Sequence, residues 1–250
     1  MSKSLIGILH YNSTQYTDVL YELLKPYEKD IYDLVVLDNG SDPGKESKYA
    51  SLKLEKNMYY GGGLDAFMNY FIENPQYDSM ALLNSDLIVH GYNFIHALRN
   101  ELFAEEDLVI VSASVIQPEK DQCHWKSNHN WNSKTIRYVP WADYQCVLLK
   151  RKFVEHVGGF GSRFGWVQDI MSGIICSDKA WKIGVCDWIP VIHLGNRTVK
   201  DHKDSKDPII VNYNFLADQE MYQYFQQNEE LWNKFIDQRK LAEEYKNFLN

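Results

Sequence analysis

The segment Ala81-Leu82-Leu83-Asn84-Ser85-Asp86-Leu87-Ile88-Val89 puts an amide, a hydroxyl and a carboxylate at the break in an otherwise apolar run. Such a run reads as a buried strand whose C-terminal end presents Asp86. A carboxylate left unpaired there would be costly. One partner that meets the cost is a hard divalent cation, held by one carboxylate with substrate phosphates in its other positions. The other reading is a plain strand-to-turn exit, where Asn, Ser and Asp are common. Two further candidates lie far downstream. Asp169 stands at the start of a helix expected over 169–180, where the helix dipole favours a carboxylate, as cap or as reacting group. His193 closes the strand pattern Pro190-Val191-Ile192, a place where a lone histidine is more often structural than a ligand.

These groups need a frame. Leu5-Ile6-Gly7-Ile8-Leu9-His10 predicts a buried strand ending at Tyr11-Asn12-Ser13-Thr14, and a helix over 15–28 follows with Val19, Leu20, Leu23 and Leu24 as its apolar stripe. Pro26 ends or kinks that helix. Asp33 to Asp38 predicts a second buried strand, closed by Asn39-Gly40-Ser41, and Leu52-Lys53-Leu54 a short third. Gly61-Gly62-Gly63 opens a helix that carries Leu64, Phe67, Met68 and Phe71 to the core. The triplet either holds an anion on backbone N–H groups or lets the helix approach the sheet closely. Strands alternate with helices at βαβ spacing, which argues an α/β fold with a parallel sheet. In such sheets ligands bind beyond the carboxyl ends of the strands. The polar breaks at Tyr11-Asn12, Asp38-Asn39 and Asn84-Ser85-Asp86 all fall at such ends.

Downstream, the pattern predicts a helix over 92–103, a strand over 108–111, a strand over 144–149 and a helix over 152–157 closed by Gly158-Gly159. The stretch 117–131 mixes His, Lys and two Trp in a polar loop, either a surface hairpin or an acceptor-recognition loop whose indoles stack on rings. The charged stretch 200–208 reads as a solvated linker or a mobile lid, and helices follow near 214–227 and 229–248. Leu231, Phe235, Leu241 and Tyr245 give the last helix a face to pack on the domain or, in a homodimer, on a second subunit.

Composition narrows the partners. The 250 residues are 45% hydrophobic and 24% charged, ordinary for a globular chain. A net charge of −8 disfavours nonspecific binding to nucleic acid or anionic membranes. The apolar start of the chain is too short for a signal peptide or a membrane span, so a cytoplasmic protein is expected. Cys123, Cys146, Cys176 and Cys186 have no zinc-like spacing and read as reduced thiols.

Taken in order, Ile8-Leu9-His10-Tyr11-Asn12, Val35-Val36-Leu37-Asp38-Asn39-Gly40-Ser41, Asn57 to Ala66 and Leu82-Leu83-Asn84-Ser85-Asp86 resemble family 2 glycosyltransferases of the GT-A fold. The rhamnosyltransferase-like subgroup is the nearest in pattern. G-G-F from Gly158, then Asp169, then Val191-Ile192-His193-Leu194-Gly195 about 24 residues later resembles the closing half of the same family. The resemblance implies a Rossmann-like, mostly parallel central sheet with helices on both faces, plus C-terminal helices. It implies a glycosyltransferase domain over 1–198 and a charged loop with a helical extension over 199–250 packed on that domain.

It also assigns roles. Asp38 is the candidate contact to the base of a nucleotide sugar, with Tyr11, Asn12, Asn39, Gly61, Gly62, Gly63, Asn84 and Ser85 on the donor side. The family's D-x-D metal motif falls on Asn84-Ser85-Asp86, so Asp86 is the main acidic ligand for Mn²⁺ or Mg²⁺ and His193 completes metal or diphosphate binding. Asp169 maps to the general base. The usual Glu-Asp pair is Gln168-Asp169 here, which changes acceptor contacts and leaves the base. Trp141, Asp143 and Trp166 join Gln168 on the acceptor side by nearness in sequence to that segment. The implied reaction is inverting transfer from a UDP-, GDP- or dTDP-sugar to a hydroxyl of a glycan or glycoconjugate. Other readings stay open. One is transfer to a modified nucleobase of DNA. A second is a catalytically inactive nucleotide-sugar binding module, since Asn84 and Gln168 both depart from the acidic pattern. A third is a nucleotidyltransferase, which the missing Gly-rich loop with Arg and Lys after the first strand opposes.

Overall fold

The chain opens with four parallel strands, and all but the short third are apolar on both faces, as strands covered by helices must be. They are β1 (Lys3–His10), β2 (Tyr32–Asp38), β3 (Ala50–Lys53) and β4 (Tyr77–Asn84). The computed structural model describes residues 2–28, 31–89, 93–116, 130, 132–195, 209 and 212–248, without the side chains of 242, 243 and 245–248. Strands β5 (Leu87–Val89), β6 (Leu108–Ile116), β7 (Arg137–Tyr138), β8 (Val147–Lys150) and β9 (Lys182–His193) complete one sheet. Its order is β3-β2-β1-β4-β8-β6-β9-β5, with β7 also on β9. The first four strands and β6/β9 pair in parallel; β8, β5 and β7 are antiparallel to their neighbours.

Alternate residues of each strand feed different cores. Ile6, Ile8, Ala81 and Leu83 pack with α1 (Thr14–Leu24) and α3 (Phe94–Ala104), while Leu5, Met80 and Leu82 pack with α2 (Tyr59–Ile72) and α4 (Arg151–Val157). The helices therefore cover both faces. A third cluster joins α5 (Val167–Asp178) to the C-terminal helices α6 (Tyr213–Phe225) and α7 (Glu229–Phe248) through Ile170, Ile174, Met221, Phe225 and Phe235.

Several expectations shift in register. Helix α1 stops at Leu24 and tightens into a 3₁₀ turn over Lys25–Tyr27, where Pro26 withholds an amide hydrogen. Its buried face is Thr17, Leu20 and Leu24, spaced by three and four; Val19 at 55% and Leu23 at 39% exposure face outward. The glycine triplet lies inside α2 and does not open it. Helix α5 begins before Asp169, at Val167, and the strand pattern closed by His193 is the end of the longer strand β9. Leu241 is 47% exposed, so the packed face of α7 runs through Phe235 and Gln238. Tyr92, Cys123, the loop 117–131 apart from Asn130, and the charged stretch 200–208 lie outside the described residues. Cys146, Cys176 and Cys186 are buried free thiols; burial pushes Cys146 and Cys186 up to about 12, which keeps them unreactive.

Candidate functional site

The chain leaves β1 for β2 on one side and returns to β4 on the other, so the crevice for a ligand opens at the ends of these strands. The register sets His10 level with Asp38 and Leu9 level with Asn84. On the β2 side the polar ends hold one another. Asp38 Oδ1 accepts the Ser41 amide at 2.9 Å, and Asn12 accepts the Asp42 amide while donating to its carboxylate, at 2.8 and 3.0 Å. Asn12 takes a left-handed φ of 53°, which asparagine tolerates better than most residues.

Asn39 is 2% exposed and spends its whole side chain on the next turn, accepting from Met58 N at 2.9 Å and donating to Tyr59 O at 2.9 Å. Its place is therefore to position the start of α2. Tyr59 carries a φ of 59°, a costly conformation for an aromatic residue. It persists because Asn57 and Asn39 bind its backbone and Phe164, Tyr213 and the Arg163 guanidinium pack its ring. Gly61 resolves the two roles open to the triplet. Its N–H donates to Arg163 O at 3.1 Å, and a Cβ there would lie 2.4 Å from the carbonyl oxygens of Ser162 and Phe164. That is close approach, with the N–H already engaged. Gly61→Ala should cost about 1–3 kcal/mol, the usual range for overpacking, and urea unfolding measures it.

The β4 end meets β9 because Leu87 pairs with His193 across β5 and β9. This turns Asp86 toward the histidine: Asp86 Oδ1 lies 3.1 Å from His193 Nε2, and Asn84 Nδ2 lies 3.2 Å from the same nitrogen. One ring nitrogen thus faces an acceptor and a donor. With a proton it suits the carboxylate and opposes the amide N–H; without one it suits the amide and opposes the carboxylate. A divalent cation shared by Asp86 and His193 removes the conflict. Asn84 Oδ1, buried and without a hydrogen-bond partner among the described residues, is then free to face that ion or its water. Carboxylate, imidazole and amide oxygen are all groups that could ligate a divalent cation. Among the described residues no three His, Cys, Asp or Glu side chains gather into a metal cage. Ser85, 8% exposed, faces Ser13 with 3.3 Å between their hydroxyl oxygens.

Beside this pair stands Asp143, half-buried, whose carboxyl accepts Gln145 Nε2 at 2.6 Å. Burial pushes it up to about 6, against the opposing pull of the His193 ring and the Gln145 amide. Asp169 is 2% exposed and accepts the Tyr144 amide at 3.3 Å. Tyr60 donates to Tyr144 O, and its phenol is pushed well above the usual tyrosine value by burial and then by the charges of Asp169 and Asp143. Asp86, His193, Asn84, Asp143, Asp169 and Tyr60 thus form one connected neighbourhood.

Two residues expected on the acceptor side are elsewhere. Trp141 is 1% exposed and packs in the cluster of α5 and α7, so its indole is core and offers no stacking face. Gln168 is fully buried, its Oε1 3.3 Å from Ser162 Oγ, and it shapes the loop and not the surface. Trp166 is half-buried between the packing of α5 and that of Phe164.

The loop before α5 is held by two carboxylates that the motifs did not reveal. Asp65 of α2 accepts the Phe160 and Gly161 amides, both at 2.8 Å; Glu220 of α6 accepts those of Arg163 and Phe164 at 2.7 and 2.8 Å. Burial raises the Asp65 carboxyl, and those two amides pull it back. Glu220→Ala should destabilise the protein by about 1–2 kcal/mol, the loss of charge-assisted hydrogen bonds. It should also speed hydrogen exchange at Arg163 and Phe164, read by mass spectrometry.

No family model and no curated protein matches the sequence. Solved structures do. The mannosyltransferase PcManGT from Pyrobaculum calidifontis, in complex with GDP-Man and Mn²⁺, superposes with a TM-score of 0.58 over 95% of this chain and 74% of its own, at 13% identity. The fold is GT-A-like. A197 from STIV matches 77% of this chain and 85% of its own at 14% identity, with a TM-score of 0.47. On the GT-A-like frame, the crevice beyond β1, β2 and β4 is the end of the sheet at which Asp86 and His193 meet. No described helix is long and apolar enough to cross a membrane.

Proposed function

We propose that the protein is a glycosyltransferase that moves a sugar from a nucleotide diphosphate sugar to an acceptor hydroxyl with inversion. The observation that carries this is the Asp86–His193 pair, 3.1 Å apart at the crevice of a GT-A-like sheet, with the Asn84 amide oxygen lacking a partner among the described residues. Asp86 and His193 would hold Mn²⁺ or Mg²⁺, with Asn84 on the same side. The bound cation would offset charge developing on the departing diphosphate. Tyr11, Asn12 and Asp38 line the nucleoside end of the crevice, with the glycine turn of α2 beside them.

Asp169 takes the proton of the acceptor hydroxyl. The oxygen forms its bond to the anomeric carbon as the carbon–oxygen bond to the diphosphate breaks on the opposite face. The nucleoside diphosphate leaves with the bonding electrons. Asp143 has a claim to the same role, since it is half-buried and its carboxyl lies near 6, within the range useful to a base. Asp169 is preferred because it lies in the first turn of the helix whose preceding loop Asp65 and Glu220 hold in place. We assign 1–198 to the transferase proper and 199–250 to an extension that supports it. The acceptor is a glycan or glycoconjugate, the donor type is rhamnosyltransferase-like, and the setting is cytoplasmic.

A release assay separates enzyme from binding module. With Mn²⁺ and a panel of UDP-, GDP- and dTDP-sugars, the wild type should liberate nucleoside diphosphate slowly even without acceptor. Binding of a donor with no release, with or without candidate acceptors, would leave a binding module.

A further inference from the structure

Two amide oxygens at this edge are buried without a hydrogen-bond partner among the described residues, Asn84 Oδ1 and Gln145 Oε1. They lie side by side. Past the paired part of β4 and β8 the Asn84 amide donates to the Gln145 carbonyl at 3.2 Å, so the two residues are backbone neighbours. Their side chains share neighbours: Asn84 Nδ2 meets His193 Nε2, and the Asp143 carboxyl that holds the Gln145 amide feels the same His193 ring. Gln145 is 8% exposed, and its amide cannot turn freely: Nε2 donates to Asp143 Oδ2 at 2.6 Å, which leaves Oε1 on the other side. The edge therefore presents acceptors that lack donors. A ligand that completes it must bring O–H or N–H groups. Neutral donors fit better than a second cation, because Asp143 already faces the Gln145 amide and the His193 ring, and Asp86 faces His193.

We propose that Gln145, oriented by Asp143, reads a hydroxyl group of the transferred sugar and so sets donor specificity. This rests on the nucleotide-sugar reading above. Asn84 sits at the Asp86–His193 pair, and Gln145 sits beside it in the turn that enters β8, within reach of a sugar whose diphosphate that pair would hold. A site built around an unmet acceptor rejects a ligand that lacks the matching hydroxyl, since the acceptor then stays buried and unpaired.

The test is calorimetric titration, with Mn²⁺ throughout, of UDP, GDP and dTDP and of UDP-glucose, GDP-mannose and dTDP-rhamnose into wild type and Gln145→Met. Wild type should bind one nucleotide sugar about tenfold or more tighter than its own nucleoside diphosphate. Gln145→Met should bind that nucleoside diphosphate as wild type does and lose the gain from the sugar. A gain of undiminished size in the variant, or no gain in wild type, overturns the inference and leaves the nucleotide site standing. Absence of binding of every compound to wild type overturns the nucleotide-sugar reading itself. Should Gln145→Met not fold, Gln145→Asn keeps the amide and withdraws its oxygen by one methylene. It should shrink the gain at constant nucleoside diphosphate affinity, and an intact gain there counts against the proposal.

Discussion

Asp169→Asn should bind a nucleotide sugar as wild type does and transfer it about 10²–10⁴-fold more slowly, the span that general-base catalysis supplies. The exchange keeps the shape of the side chain and an oxygen able to accept the Tyr144 amide, which Asp169 now takes at 3.3 Å. The loop before it stays clamped by Asp65 and Glu220. Only the ability to take a proton is lost. Steady-state transfer beside calorimetric donor binding separates the two effects, because a folding defect would lower both. Unchanged turnover in Asp169→Asn, with turnover lost in Asp143→Asn, would hand the base to Asp143.

Asp86→Ala should abolish metal-dependent donor binding, a loss on the order of 100-fold or more, at the upper end of what removing a supporting metal contact costs. The site brings few ligands of its own. Asp86 is the one acidic residue of the pair, and His193 and Asn84 contribute neutral atoms when the ring is unprotonated. Without Asp86, little holds a dication until the diphosphate arrives. A titration of donor with Mn²⁺ and again with chelator should differ for wild type and coincide for Asp86→Ala. Equal binding by wild type in both conditions would remove the metal from the mechanism.

Much of this site is legible in the sequence, and the exceptions share a cause. β1, β2 and β4 announce themselves by unbroken apolar runs that end on polar residues, and the stripe Leu64, Phe67, Met68 and Phe71 of α2 is buried as its spacing predicts. The meeting of Asp86 with His193 is not legible. It depends on β5, only three residues long, and on its antiparallel pairing to β9, a contact that no local periodicity encodes. Trp141 misleads for the opposite reason: nearness in sequence to the Asp169 segment suggests a surface, yet its neighbours in space are Ile170, Ile174 and Phe235. Gln145 was within reach. It stands two residues after Asp143, and the turn at Tyr144 and Gln145 brings its amide back to that carboxylate. Asp65 and Glu220 carried no such signal, because what they hold is backbone far away in the chain.

The most direct measurement is calorimetric titration of wild-type protein with a panel of UDP-, GDP- and dTDP-sugars, in Mn²⁺ and again in chelator. One member of the panel should bind in Mn²⁺ and lose that binding in chelator. Failure of every member to bind in either condition would contradict a nucleotide-sugar site at the Asp86–His193 edge.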